Sequence, residues 1–283
     1  MSFRIATNTA AINTQKYLSA NQATQDKALQ RLSSGTKVAS AKDDAAGAAM
    51  SFKLNAKASS LSRGIDNGNQ AIGMLQTAES ALNTVSNVLL RLKELATQAA
   101  SSNTVDRDKL ESEANKLEDV LDNINASTKY GDTAVFGTGN FTFQLGDSGT
   151  SANEQISFTQ VRVSAANISS AALDGATLGL VSAGATNVVA SAQAYITAVD
   201  NAISSVNDAK ANIGATMNQI QFQVDNMTSM YENTKSANST ITDADFASEM
   251  ADFTKGQILQ QSGISMLSQA NQAPQAVLSL LKG

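Results

Sequence analysis

The chain has 283 residues, a net charge of −5 and a pI near 4.8, and it contains no Cys, no His and no Trp. The missing Cys and His exclude disulfides, thiol nucleophiles and imidazole ligands or general bases, and the acidic balance argues against a nucleic-acid-binding surface. Only 5% of the residues are aromatic, which favours long, thin helical bundles over a thick core. No apolar run approaches the roughly 20 residues that span a bilayer, and residues 1–20 lack the apolar core of a cleavable signal, so these features alone predict a soluble cytoplasmic protein.

The first 32 residues predict a weak amphipathic helix. A thin apolar stripe from Ile5 to Leu32 runs among Asn, Gln, Thr and Ala, and such a helix is marginal alone in water. After a turn at Ser33-Ser34-Gly35, Asp43 and Asp44 precede an Ala-rich segment. Adjacent carboxylates do not converge on one ion, so we interpret the pair as a helix cap rather than a cation site.

Three heptad patterns predict a helical bundle. The first runs from Ile72 to Ala96, and a shorter one follows from Leu110 to Ile124. The longest, from Ile196 to Tyr231, carries Lys210 as the one charged residue in its apolar frame. Seven-residue repeats held over this length require partner helices.

The residues between the second and third heptads change to a period of two. Phe141, Phe143 and Leu145 alternate with polar residues, and so do residues 156–163 beyond a turn at 146–149. This pattern predicts one or two β-hairpins. Residues 164–189 have no clear periodicity, and we interpret them as a short variable surface segment.

The C-terminal segment has no charged residue between Lys255 and Lys282, yet its apolar stripe is thin and its other positions are Gln, Ser and Asn. Such a helix suits neither lipid nor water and favours dense contact with other protein. Because both ends of the chain are weak helices, repeated subunits in a contact that does not close into a ring would bury them in a filament. The residues predicted to carry this polymerisation are Ile5, Ile12, Leu18, Leu29, Leu32, Ile264, Leu267, Val277, Leu278 and Leu281.

Several long motifs resemble the bacterial flagellin family. They occupy residues 28–35, 40–47, 68–79, 90–96 and 268–281, and the resemblance covers about residues 1–165 and 190–283. It implies a mainly α fold, a long antiparallel heptad bundle with a small β-hairpin region, in which both chain ends form a coiled-coil polymerisation domain. The implied division is residues 1–44 with 241–283, then 45–163 with 190–240, and finally 164–189 in place of larger outer domains.

The resemblance also implies function. The chain is expected to be a structural subunit, not an enzyme and without cofactor, that self-assembles into the extracellular flagellar filament for swimming after export without a cleaved signal. Its implied partners are further copies of itself, the flagellar export apparatus, an export chaperone, the filament cap and the hook–filament junction proteins.

Other interpretations remain open at the level of sequence. A hook–filament junction protein shares parts of both terminal motifs. A signalling coiled coil has a similar composition but needs a transmembrane anchor, and a filament with zinc-protease activity needs His, which this chain lacks.

The resemblance further implies a surface recognised by the Toll-like receptor that senses flagellin. Arg91, Leu95 and Glu113 match the recognition pattern, whereas Leu90 and Lys93 depart from it. A purely structural interpretation of this region competes, because its heptad positions serve the bundle.

Overall fold

The computed structural model describes residues 8–101, 106–146, 155–160 and 188–281, without the side chains of 188 and 273–281. The elements are α1 (Thr9–Ser34), α2 (Ala45–Ala99), α3 (Arg107–Ser127), β1 (Lys129–Tyr130), β2 (Thr133–Ala134), β3 (Asn140–Gln144), β4 (Gln155–Thr159), α4 (Val188–Thr242) and α5 (Phe246–Leu281). The predicted fold class, mainly α with a small β region, is confirmed.

The chain divides into two compact units. The terminal unit comprises Met1–Ala58 and Glu232–Gly283, and the bundle unit comprises Ser59–Tyr231. The boundaries between the two units lie inside α2 and α4. The division of the chain at residues 44 and 241 that the resemblance implies stays a prediction, and most of its variable segment, residues 161–187, lies outside the described residues.

The bundle unit has one apolar core built by α2, α3 and α4. The predicted heptad residues lie in it: Leu82 of α2 and Leu121 of α3 are fully buried, and Ile213 of α4 is 1% exposed. Leucine and β-branched side chains at these spacings give each helix a continuous apolar stripe, so three helices close on one another.

Two contacts between α2 and α4 show the relative direction of these helices. Lys93 of α2 pairs with Asp200 of α4 at 2.6 Å, and further back along α2 Ser86 accepts a hydrogen bond from Lys210 at 2.7 Å. Because the residue numbers rise along α2 while they fall along α4, the two helices are antiparallel. The hydrogen bond also gives the one charged residue of the heptad frame a polar partner.

Two β-hairpins lie among the described residues of the bundle unit, and the alternating pattern of residues 141–145 and 156–158 predicted the larger of them. In the larger one, β3 pairs with β4 so that Phe141 lies opposite Phe158 and Phe143 opposite Ile156. Leu145, directly after β3, is fully buried against α2, where Gly64 leaves room for its backbone. Alternation along β4 buries Ile156 and Phe158 and exposes their neighbours, as the period of two predicts.

The terminal unit contains a pair of antiparallel helices from opposite ends of the chain. The side-chain amide of Asn8 donates to the carbonyl of Ala270, and that of Asn21 donates to the carbonyl of Gly256, each at 2.8 Å. Because the residue numbers rise along α1 while those of their partners fall along α5, the two helices are antiparallel. The predicted pairing of both chain ends is therefore seen within a single chain.

The connectors at one end of this helix pair are joined by backbone hydrogen bonds. Gly35 ends α1 with a left-handed φ of 70°, which glycine adopts without strain, and Thr36 then forms a single antiparallel bridge with Asp243. The amide of Ala244 donates to the carbonyl of Gly35 at 3.0 Å. Beyond the bridge, Asp44 accepts hydrogen bonds from the first amides of α2, which agrees with the cap interpretation.

Candidate assembly surface

The contact between α1 and α5 is built from small and amide residues. Gly256 and Gly263 follow each other at heptad spacing on α5 and face α1. A Cβ on Gly256 would lie 3.4 Å from the Cβ of Gln25, and one on Gly263 would lie 3.1 Å from Leu18. Small residues let the two backbones approach closely, but they bury little apolar area.

The one charged contact described across this pair lies near the connectors. Arg31 of α1 donates to Glu249 of α5 at 2.9 Å, and the two side chains are only 26% and 12% exposed. Nearby, Lys27 pairs with Asp43 at 2.7 Å. That ion pair and a hydrogen bond from Ser40 hold the pKa of Asp43 below its ordinary value.

The terminal unit has almost no apolar core of its own. Among its described side chains, the buried hydrophobic ones are Ala28 and Ala58. Alanine loses little area to burial, so these contacts supply a small part of the free energy that ordering such long helices requires.

Large apolar side chains of the same unit lie on its surface. Ile258 of α5 is 60% exposed, and Met250, Ile258 and Leu259 line an open groove of about 530 Å³. The exposed apolar set of the terminal unit is Ile12, Tyr17, Leu29, Met50, Phe52, Phe246, Met250, Ile258, Leu259, Ile264 and Met266. Apolar surface of this extent marks an interaction site rather than a solvated face.

The predicted polymerisation residues divide between the helix contact and the surface. Leu18, Leu32 and Leu267 are half-buried, whereas Ile12, Leu29 and Ile264 are exposed. Ile5, Val277, Leu278 and Leu281 lie outside the described side chains. The assignment of these residues to polymerisation stays a prediction.

The sequence-based list missed much of the exposed apolar set, including Tyr17, Met250 and Ile258. A signal for Met250 and Ile258, which lie on α5, was present. Since Gly256 and Gly263 form a heptad row of small residues, the apolar residues out of phase with that row point away from α1.

The three receptor-candidate residues have different surroundings in the bundle unit. Arg91 of α2 is exposed and bonds Glu113 of α3 at 2.7 Å and Glu94 at 3.1 Å, and these carboxylates raise the pKa of Arg91. Leu95 is 2% exposed and belongs to the core, while Leu90 is 52% exposed. The structure therefore brings Arg91 and Glu113 together on the surface and places Leu95 beneath it.

Two further properties concern the described residues only. No group of three or more acidic side chains there is arranged to hold a metal ion. No described helix is long and apolar enough to cross a membrane.

Comparison with known families decides among the interpretations. The family model of the bacterial flagellin N-terminal helical region matches residues 5–142, and that of the flagellin C-terminal helical region matches residues 196–281. The chain belongs to the bacterial flagellin family. It is 34% identical to the flagellin of Bacillus subtilis (strain 168), an alignment that covers 99% of this chain and 100% of that flagellin.

A second flagellin, from Listeria monocytogenes, is 34% identical over 98% of this chain and 99% of its own. A solved structure assigned to a flagellar hook-associated protein of Vibrio parahaemolyticus covers 71% of this chain and 100% of its own with a TM-score of 0.59. At 13% identity it shows a shared fold and nothing more. Membership of the flagellin family makes the chain a filament subunit, and the junction-protein and signalling interpretations are not favoured.

Proposed function

We propose that this chain polymerises into the flagellar filament through the exposed apolar set of its terminal unit. The observation that carries the proposal is the contrast within that unit, which exposes large side chains such as Ile258 and Met266, while its buried hydrophobic side chains among the described residues are Ala28 and Ala58. Burial of one such side chain contributes about 1.5–3 kcal/mol before the ordering costs are subtracted. Neighbouring copies in a repeating contact supply that burial for every subunit.

The proposal extends to location and partners. A filament subunit works outside the cell, so we assign the chain to the extracellular flagellum, reached through the flagellar export apparatus. Before assembly the part of α5 beyond Lys255, which has no charged residue, needs a cover, which we assign to an export chaperone. In the filament, the cap and the hook–filament junction proteins occupy the ends of the polymer. The role is structural, and no catalytic step is assigned to any residue.

Seeded polymerisation of single variants tests the proposed contact. Ile258→Asp places a charge in the apolar groove, so we expect no pelletable filaments and no regular filaments by electron microscopy. Ile258→Leu is the matched control, because it keeps volume and polarity, and it should polymerise like the parent. Filaments from Ile258→Asp at the parent's yield contradict the assignment of the groove.

A second proposed role is recognition by the flagellin-sensing Toll-like receptor. It is supported by the ion pair that joins Arg91 and Glu113 on the surface of α2 and α3. Leu95 contributes from the core, because its burial holds α2 in place beneath the pair.

Receptor signalling by two arginine variants tests this second role. Arg91→Ala should weaken signalling while the melting temperature changes little, because exposed ion pairs contribute little to stability. Arg63→Ala is the control, since Arg63 lies on the same helix and its side chain is 83% exposed. Equal signalling by both variants, or none by the parent, removes the proposal.

A further inference from the structure

The oxidation chemistry of this chain rests on methionine. The sequence has eight Met and neither Cys nor Trp. Thiols are the side chains that peroxides attack first, and the methionine thioether is a common second target. With thiols absent, a hydroperoxide that reaches this protein finds its reactive sulfur only in Met.

The described Met side chains differ sharply between the two units. In the bundle unit, Met74 is 5% and Met227 is 1% exposed. In the terminal unit, Met50 and Met250 are each 51% exposed and Met266 is 61% exposed. Met217 of the bundle unit is half-buried and Met230 is 36% exposed, so the most exposed of the described Met side chains lie in the terminal unit.

Two of the exposed methionines lie on α5 within the proposed contact surface. Met250 lines the open groove together with Ile258 and Leu259. Met266 lies one heptad beyond Leu259, so it projects from the side of α5 where Leu259 borders the groove, next to the glycine row, and its side chain is 61% exposed. Both thioethers are thus surrounded by surface that assembly would cover.

We propose that oxidation of Met250 and Met266 prevents assembly: a hydroperoxide converts both residues to sulfoxides in the free chain and thereby blocks polymerisation. This inference rests on the proposed function of the exposed apolar set. The sulfur lone pair attacks one peroxide oxygen, an S–O bond forms as the O–O bond breaks, and the second oxygen leaves as water or alcohol after taking up a proton. Methionine loses two electrons and the peroxide gains them.

The consequence follows from polarity. A sulfoxide carries a strongly polar oxygen that must be hydrogen-bonded, and burial of that oxygen without a partner opposes association. Four of the six residues that line the groove are apolar, and of its two donors, Thr254 and Lys255, the Thr254 hydroxyl already donates to the carbonyl of Met250. In an assembled filament the same sulfur atoms are covered, so subunits already in place are shielded while free subunits are not.

The experiment uses the full chain and hydrogen peroxide at neutral pH. Peptide mass mapping should show one added oxygen at Met250 and Met266 in the free chain and none at Met74 or Met227. Seeded sedimentation should then show loss of most pelletable filament, and a methionine sulfoxide reductase should restore it. Preformed filaments should react more slowly at both α5 positions. Oxidised chain that polymerises at the parent's yield overturns the inference.

Leucine variants separate this inference from its premise. The double variant Met250→Leu/Met266→Leu has no thioether at either position, so peroxide treatment should leave its filament yield equal to its own untreated yield. Met50→Leu leaves both α5 sites in place and should stay sensitive. Loss of assembly in the treated double variant contradicts the assignment to Met250 and Met266. Failure of untreated parent to polymerise instead contradicts the proposed function itself.

Discussion

The terminal unit and the bundle unit are both made of helices with seven-residue repeats, yet only the bundle unit buries its large apolar side chains in a core of its own. Its repeat places side chains such as Leu82 and Ile220 in a dry core. The repeat of the terminal unit places Gly256 and Gly263 at the helix contact and leaves Ile258 outside. The difference teaches that a heptad fixes which faces meet, while the size of its residues decides whether the contact suffices without a neighbour.

The largest effect is expected when the terminal unit loses half of its helix pair. Deletion of residues 256–283 should abolish seeded polymerisation, because it removes most of α5, including Ile258 and Leu259 of the groove. The bundle core has no residue in that segment, so cooperative melting by circular dichroism should persist near the parent's temperature. If the truncated chain forms pelletable filaments, polymerisation does not need the helix pair of the terminal unit. If it loses cooperative melting, the bundle unit does not fold without that helix pair.

A charge in the bundle core should have the next largest effect. Leu82→Asp puts an unpaired carboxylate at a fully buried position and should lower the free energy of unfolding by about 3–5 kcal/mol. Leu90→Asp makes the same chemical change on the same helix at a side chain that is 52% exposed. Chemical denaturation should separate the two variants, and similar midpoints for both are incompatible with the core described.

Two glycines in the bundle unit should respond in opposite directions to alanine. A Cβ on Gly64 would collide with the backbone carbonyl of Leu145 and crowd Met227, so Gly64→Ala should destabilise by about 1–3 kcal/mol. A Cβ on Gly214 meets nothing within 4 Å, and Gly214→Ala should stabilise α4 by up to about 1 kcal/mol. Thermal melting measures whether each variant is more or less stable than the parent. A Gly64→Ala variant that is more stable contradicts the close packing at Gly64.

The smallest expected effect depends on pH. Burial raises the pKa of Glu118, while a hydrogen bond from Tyr195 at 2.8 Å opposes part of that rise. The folded chain therefore holds this proton more tightly than the unfolded chain. Stability from this group is present at low pH and declines as the pH rises from the ordinary carboxyl range through the raised pKa.

Glu118→Gln removes that decline. The variant should melt slightly higher than the parent at neutral pH, and the difference should shrink as the pH falls through the raised pKa. The terminal unit should show the opposite sign, because the pKa values of Asp43 and Asp243 are lowered by their hydrogen bonds and their contribution is lost in acid. A gap between variant and parent that widens in acid contradicts the assignment to Glu118.

The bundle was predictable because its signal is local and strong. Leucine, isoleucine and valine at heptad spacing in α2, α3 and α4 leave one way to bury them, and alternation in β3 and β4 fixes the larger hairpin. The burial of Leu95 was harder to predict, since it lies three residues beyond the heptad residue Leu92. A helix packed against two partners buries a wider face than a two-helix seam, and spacing alone does not reveal the second partner.

The terminal unit was only partly predictable. Its helices and their pairing follow from the weak stripes and the resemblance. Leu18 and Leu267 are half-buried whereas Ile12 and Ile264 are exposed, and this difference depends on which face of α5 meets α1. That choice is made by glycines, which carry no apolar signal. The unit boundaries lie inside continuous helices, where no breaking residue marks them in the sequence.

The hydrogen bond from Asn8 to Ala270 spans 262 residues of chain. Because a ribosome makes α1 among the first segments and α5 as the last, the first helix has no partner until synthesis is nearly complete. A product that stops early, or that shifts its reading frame before Glu249, can carry an intact bundle sequence and still lack the helix pair. The fold thus restricts incorporation into a growing polymer to full-length molecules, since a truncated one brings no groove to the contact.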